Sequence, residues 1–251
     1  MLEWIFLALL CVGVLLFFHN QATYEFKIAQ IDWDQRSLLP SLLEERGPLV
    51  LQNLPPVAFW TQQDVLMRDG YGYVPVFEDQ SIAEWLVTAT PTTACPWGLE
   101  HARLLGSTSG LGVWAERDLD QAIKTNAFWS TWYSAVPSCW AGERSLWKSL
   151  ARWTVIMPTE GSIQVSILAG SNDVRKSLPP DLTGVHPSRL TIYDTPFVKD
   201  LQYMDIVLRP GSCLVMPPHW FLSWQSIGDM CPMVCVVEYH TPVSRWMPTP
   251  T

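Results

Sequence analysis

The spacing of apolar residues divides the chain into three parts. The opening stretch, MLEWIFLALLCVGVLLFFHNQA, carries an unbroken apolar run from Trp4 to Phe18. Counted from Leu2 and tolerating Glu3, it covers 17 residues, about 25 Å of helix at ~1.5 Å per residue, the short end of what crosses a bilayer. A helix apolar on every face, set ahead of polar residues, predicts an anchoring or targeting segment over 1–21 rather than a first core helix. Ala22 suits the position before a cleavage site, but Asn20 is not the small residue expected two places earlier. The run also exceeds the ~7 to 15 residues of a signal-peptide core. A retained single-pass membrane anchor is therefore favoured over a removed signal peptide.

Residues 22–251 read as one domain, with a helical front over 22–152, a β-rich half over 153–241 and a short Pro-tipped tail over 242–251. In the front half, DWDQRSLLPSLLEERG predicts a short helix reaching Glu45, with Gly47 just past its end. PLVLQNL predicts a buried strand, FWTQQDVLMRDG a helix capped by Thr61 and stopped by Gly70, and YVPVFED a further strand. SIAEWLVTA and RDLDQAIKTNAFWSTWYSAV predict two more helices, the second with Leu119, Ile123, Phe128 and Trp132 on one stripe. From Trp153 the pattern becomes short β-rich runs, WTVIM, SIQVSILAG, RLTIY, DIVLRPG, SCLVMPP, WFLSWQS and PMVCVVEYH, separated by Pro, Gly and Asp turns. Such spacing predicts a sandwich or barrel.

Composition narrows the function. Charged residues make up only 16%, against roughly 25% in soluble domains, while Trp reaches 14 and Pro 20, so the chain is turn-rich and aromatic-rich. Twenty-four acidic against 16 basic residues leave a net charge of -8, which repels a phosphate backbone and argues against nucleic acid as a partner. Lys27 and Arg36 follow the apolar run and no basic residue precedes it, a weak lean toward a cytosolic domain. Outside the run stand Cys95, Cys139, Cys213, Cys231 and Cys235, too sparse for a disulfide scaffold. Cys95 and Cys139 either pair in a lumen or remain buried thiols. There is no G-x-S-x-G elbow, no Gly-rich phosphate loop and no Cys-x-x-Cys; CPMVC has three residues between its cysteines.

Three passages carry a family likeness: RGPLVLQNLPPVAFWTQQDVL, ILAGSNDVRKSLPP and VLRPGSCLVMPPHWFLSWQS. Together they resemble the cupin-like JmjC family of iron and 2-oxoglutarate dioxygenases, across most of residues 45 to 240. The resemblance implies a mainly β fold with a helical N-terminal part, built on a double-stranded β-helix of the cupin or jelly-roll type. It also implies a site in which two histidines and a carboxylate hold Fe(II) and leave coordination positions open for 2-oxoglutarate and oxygen. Carried over residue by residue, the His-x-Asp pair of the family falls on Met157 and Thr159, and its distant histidine on Leu222. The lysine that often binds 2-oxoglutarate falls on Asn172, with Arg175 and Lys176 nearby as stand-ins. All three metal-ligand positions are thus vacated.

The expectation is a non-catalytic, membrane-anchored, cupin-like binding or scaffold module with a protein partner and no bound cofactor. One alternative is an Fe(II)- and 2-oxoglutarate-dependent protein hydroxylase with displaced ligands. Glu238 and His240, at i and i+2 on the last predicted strand, share a face, and His219 in the Pro-Pro corner would be the third ligand. A carbohydrate-binding β-domain is the other alternative. It requires several of Trp97, Trp129, Trp140, Trp220 and Trp246 to be exposed on one surface.

Overall fold

The structure, a computed structural model, describes residues 3–11, 13, 27–56, 59–68, 70–71, 74–77, 80–124, 132–168, 203–242 and 244. Among these residues twelve strands fall into three sheets. The largest has six strands in the order β1-β2-β10-β7-β12-β5. These are β1 (Ala29–Asp32), β2 (Leu49–Gln52), β5 (Ser134–Ala141), β7 (Trp153–Glu160), β10 (Cys213–Met216) and β12 (Met233–His240). A four-stranded sheet runs β6-β11-β8-β9, made of β6 (Arg144–Lys148), β8 (Ser162–Leu168), β9 (Tyr203–Leu208) and β11 (Phe221–Ile227). The third is a ribbon of β3 (Pro75–Phe77) and β4 (Gln80–Ser81). From β5 to β12 the described strands alternate between the two larger sheets except at β8 and β9, which are paired within the smaller of the two, and both sheets feed one continuous buried cluster.

Two expectations are corrected here. A double-stranded β-helix barrel is not what forms. The strands make open sheets, and the larger sheet is mixed because β1 runs parallel to β2 while its other pairings are antiparallel. Several helices are interleaved among the early strands. The helix at the N-terminus, α1, is described over residues 3–11, a rise of only about 13 Å at ~1.5 Å per residue. Among the described residues no helix is long and apolar enough to cross a membrane.

Local sequence explains the helices. A 3-10 turn over Trp33–Leu38 leads into α2 (Leu39–Glu44), which has Pro40 in its first turn, where the missing N–H costs nothing. The left-handed residue after α2 is Arg46, at φ 56, rather than Gly47. α3 (Gln62–Met67) is capped as predicted: the Thr61 hydroxyl accepts from Asp64 N–H at 3.1 Å. α4 (Ile82–Thr88) has a full capping box, in which Ser81 accepts from the Glu84 backbone and Glu84 accepts from the Ser81 backbone.

The helices of the front half do not all fall where the pattern puts them. α5 (Leu99–Ser109) was not legible, and α6 (Leu111–Trp114) runs through a π-helical turn, Ala115–Leu119, into α7 (Asp120–Ile123). The predicted stripe ends there: Leu119 and Ile123 are buried, Trp132 is half exposed, and Phe128 lies outside the described residues. The SAV segment belongs to β5. The predicted strand RLTIY also lies outside the described residues.

Close approach of α5 to β5 decides one residue type. A Cβ on Gly106 would stand 2.5 Å from the carbonyl carbon and oxygen of Pro137, which are backbone atoms and cannot swing away. Ala for Gly in a helix interior ordinarily stabilises by up to about 1 kcal/mol, so Gly106→Ala tests whether packing overrides propensity. The expected result is a net loss of about 1–3 kcal/mol by thermal unfolding. Gly112→Ala, whose Cβ would meet only the Pro137 side chain at 3.8 Å, is expected to leave stability unchanged or raise it.

Candidate functional site

Residues directly opposite on antiparallel strands place their side chains on the same face. Met157 of β7 lies opposite Cys235 of β12, which lies opposite Cys139 of β5. The Cys139 thiol is 3.5 Å from the Ser109 hydroxyl of α5, so this face of the large sheet is the one that carries helix. Trp140, next along β5, points the other way and meets Trp224 of β11 edge to face, with ring centroids 6.3 Å apart. Leu222 is two residues from Trp224 and shares its face. Met157 and Leu222 therefore occupy different layers of the molecule.

Thr159 does not join either of them. It is the extra residue of a β-bulge, because Met233 pairs with Glu160 while Val234 pairs with Pro158. Its hydroxyl donates to the Trp60 carbonyl, with the Met233 carbonyl 3.1 Å away. Met157 and Thr159 open on a cavity of about 290 Å³, whose other walls include Leu54, Pro210, Gly211 and Ser212. None of the residues lining it is His, Cys, Asp or Glu. A thioether, an engaged hydroxyl and a buried aliphatic chain, set on separate layers, do not fit Fe(II), which takes imidazole and carboxylate donors. Asn172, Arg175 and Lys176 lie outside the described residues.

The turn leading to this cavity wall follows directly from its residues. Ser212 N–H donates to the Arg209 carbonyl at 2.9 Å, across Pro210 and Gly211, and Gly211 has φ 88. That is a turn with Pro at its second position and Gly at the third, where positive φ is required. β10 follows, and Pro217 and Pro218 end it. His219 then adopts φ 70, with its N–H donating to the Ser149 carbonyl at 2.8 Å. Histidine is among the few side chains enriched in the left-handed region, and this backbone demand accounts for the residue. Burial, aided by the Lys148 charge, lowers the His219 pKa.

Glu238 and His240 do come together. Both are buried on β12, and the His240 Nε2 atom is 3.5 Å from Glu238 Oε2. Arg103 of α5 reaches the same oxygen at 3.1 Å. His219 is not part of this group: among the described residues no three of His, Cys, Asp and Glu are placed to share a metal ion. The third member of the cluster is instead a cation, which opposes metal binding. Burial by itself would raise the Glu238 pKa, but the facing imidazole and guanidinium outweigh it and hold the carboxyl below the ordinary carboxylate range.

Apart from Cys11, which is exposed, the thiols are buried or half-buried. The six cysteines are all free; Cys139 faces Cys235 with sulfurs 3.9 Å apart, rather than Cys95. Burial pushes the Cys95 thiol up to about 12 and the Cys231 thiol up to about 11, the reverse of what a thiolate nucleophile needs. Of the tryptophans that a sugar-binding surface requires, Trp97, Trp140 and Trp220 are buried, and Trp129 and Trp246 lie outside the described residues. Three indole N–H groups serve the backbone instead: Trp60 donates to the Trp140 carbonyl at 2.9 Å, Trp97 to the Cys139 carbonyl at 3.1 Å and Trp224 to the Gly142 carbonyl at 2.9 Å.

Comparison with known proteins adds little. No family model matches the chain. No curated protein matches it either. Among solved structures it is similar to E. coli ycfD, at 16% identity and a TM-score of 0.38, over 56% of this chain and 33% of that one. The chain thus spans about a third of the length of that neighbour.

The Glu238 cluster makes stability depend on acid. A carboxyl whose folded pKa lies below its unfolded value of about 4.3 contributes stability that is fully present above that value and is lost as pH falls through the folded one. The expected outcome is a melting temperature that drops on acidification below about pH 4. Glu238→Gln should start about 1.5–3 kcal/mol lower at neutral pH and show a shallower acid limb. Parallel acid limbs in the two proteins would assign the acid sensitivity elsewhere.

Proposed function

We propose that this chain is a divergent relative of the cupin-like JmjC family that works as a binding or scaffold module rather than as an oxygenase. The observation that carries this reading is the fate of the three positions where the resemblance puts metal ligands. Met157, Thr159 and Leu222 hold no imidazole or carboxylate, and two of them lie in different layers of the fold. A displaced site would draw on Glu238 and His240, but Arg103 already neutralises that carboxylate.

Association with a membrane through the apolar N-terminal stretch is part of the same proposal. Its support is that Trp4, Ile5, Phe6 and Leu9 are exposed and absent from the core cluster, where large apolar side chains gathered in one stretch mark a contact surface. A protein is the expected partner of the folded part.

The decisive measurement is turnover. The full chain, incubated with Fe(II), ascorbate and 2-oxoglutarate, is expected to form no succinate above a protein-free control, and His240→Ala is expected to leave the metal content of the purified protein unchanged. Iron-dependent succinate formation abolished by His240→Ala would establish the displaced-ligand oxygenase instead.

A further inference from the structure

Two cysteines meet across the seam between β5 and β12. Cys139 and Cys235 are directly opposite in the register, both are fully buried, and their sulfurs are 3.9 Å apart. Opposite residues on antiparallel strands alternate between pairs that exchange backbone hydrogen bonds and pairs that do not, and the second kind stands closer, with Cα atoms about 4.5 Å apart. The backbone shows which kind this is. Gly142 N–H donates to the Pro232 carbonyl at 2.9 Å, one step beyond the Ala141–Met233 pair, so Trp140 and Ser138 turn their backbone toward β12 while Ala141 and Cys139 turn theirs away. In agreement, the Cys139 carbonyl accepts from the Trp97 indole N–H at 3.1 Å.

Cys139 and Cys235 are therefore a non-hydrogen-bonded pair. Such a pair falls within the roughly 4.4–6.8 Å between Cα atoms that a disulfide bridges. The surroundings tolerate the bond. Cys139 donates its S–H to the Ser109 hydroxyl at 3.5 Å, but that hydroxyl also donates to the Gly106 carbonyl and accepts from Leu111 N–H, so it keeps partners when the thiol hydrogen leaves.

What the folded protein denies is access. Both side chains are sealed from solvent, and burial, reinforced by the facing Cys139, raises the Cys235 thiol well above its ordinary range. Reaction therefore belongs to the time when the seam is open. Among the described strands β5 pairs in its sheet with β12 alone, and β12 comes last in the chain, so neither thiol is sealed at this seam until that strand docks.

The geometry points to a redox modification site, in which Cys139 and Cys235 close into a cross-strand disulfide that staples β5 to β12 when the chain folds in the presence of a small-molecule disulfide. The chemistry is thiol–disulfide exchange. One cysteine thiolate attacks a sulfur of the oxidant, forming a mixed disulfide and releasing one small thiolate. The other cysteine thiolate then attacks the cysteine sulfur of that mixed disulfide, forming the Cys139–Cys235 bond and releasing the second small thiolate. The two cysteine protons end on the two released thiolates, and the oxidant gains the two electrons that the cysteines lose. In a reducing compartment the pair stays as thiols. The bond joins positions 96 apart, so it restricts the unfolded chain strongly and favours the folded one. None of this depends on whether the domain binds a partner or turns over a substrate.

The test starts from the full chain, unfolded in denaturant with reductant and then refolded in a mixture of reduced and oxidised glutathione. The products are alkylated, digested without reduction and mapped by mass spectrometry. A Cys139–Cys235 linked peptide is expected as the main disulfide, with a melting temperature several degrees above that of the reduced protein. Reduced protein that is already folded is expected to oxidise about tenfold more slowly or worse in the same mixture, since access is lost. Cys139→Ser and Cys235→Ser are each expected to abolish the linkage and the redox difference in melting temperature, whereas Cys11→Ser keeps both. Alkylation of both thiols after oxidative refolding, a main linkage through Cys95, Cys213 or Cys231, an unchanged melting temperature, or equal oxidation rates before and after folding would overturn the proposal. Should a serine variant fail to fold, the peptide map of the unsubstituted chain decides.

Discussion

Strand β12 is the constraint on which the rest of the molecule is arranged. It lies between β7 and β5, is paired along both edges, and has all eight of its residues buried. A strand covered on both faces normally carries only apolar side chains, yet this one ends in Glu238-Tyr239-His240. Placing a carboxylate there is strongly unfavourable unless charge and hydrogen bonds are supplied on the spot. The fold supplies them with Arg103 from α5 and the imidazole two residues away. The helix that delivers Arg103 is the same one that approaches β5 so closely at Gly106. Packing of α5 and neutralisation of Glu238 are therefore one requirement met by one element.

That requirement also shapes the space between the sheets. The face of β12 carrying Glu238 and His240 belongs to the same side as Trp140, so the layer is not purely apolar. It holds a neutralised acid and the Arg144 cation over the Trp140 ring, while the helix-covered side holds thiols, methionine and tyrosine.

The later strands were readable because their β-branched alternation is local information. SIQVSIL and MVCVVEYH carry it plainly, and both form strands where expected. β5 was hidden because SAVPSCWA has one β-branched residue and a proline and directly follows an aromatic run at helical spacing. α5 was hidden because it starts from Gly98 with no side-chain cap and ends in Gly-Ser-Thr-Ser, all poor helix formers. For the site, the pairing of Glu238 with His240 followed from a two-residue spacing. Arg103, 135 positions away, did not. Nor could any local pattern reveal that Met157 and Leu222 face different layers, since that depends on which side of the large sheet the helices cover. His219 entered the sequence reading as a ligand only in the displaced-site alternative, and its left-handed backbone conformation is one that histidine tolerates.

The strand order of the large sheet bears on how the molecule is assembled. β12 is the last of the described strands in the chain, yet in the sheet it sits between β7 and β5. Until residues near 240 have been synthesised, β5 has no partner in its sheet and β7 has one free edge. Closing the centre then joins segments roughly a hundred positions apart, such as Cys139 and Cys235, the kind of distant contact that slows folding. A nascent chain of this protein therefore passes through a period with two apolar strand edges open to wrong pairing. Among the described strands, only β12 bridges the two sides of that gap.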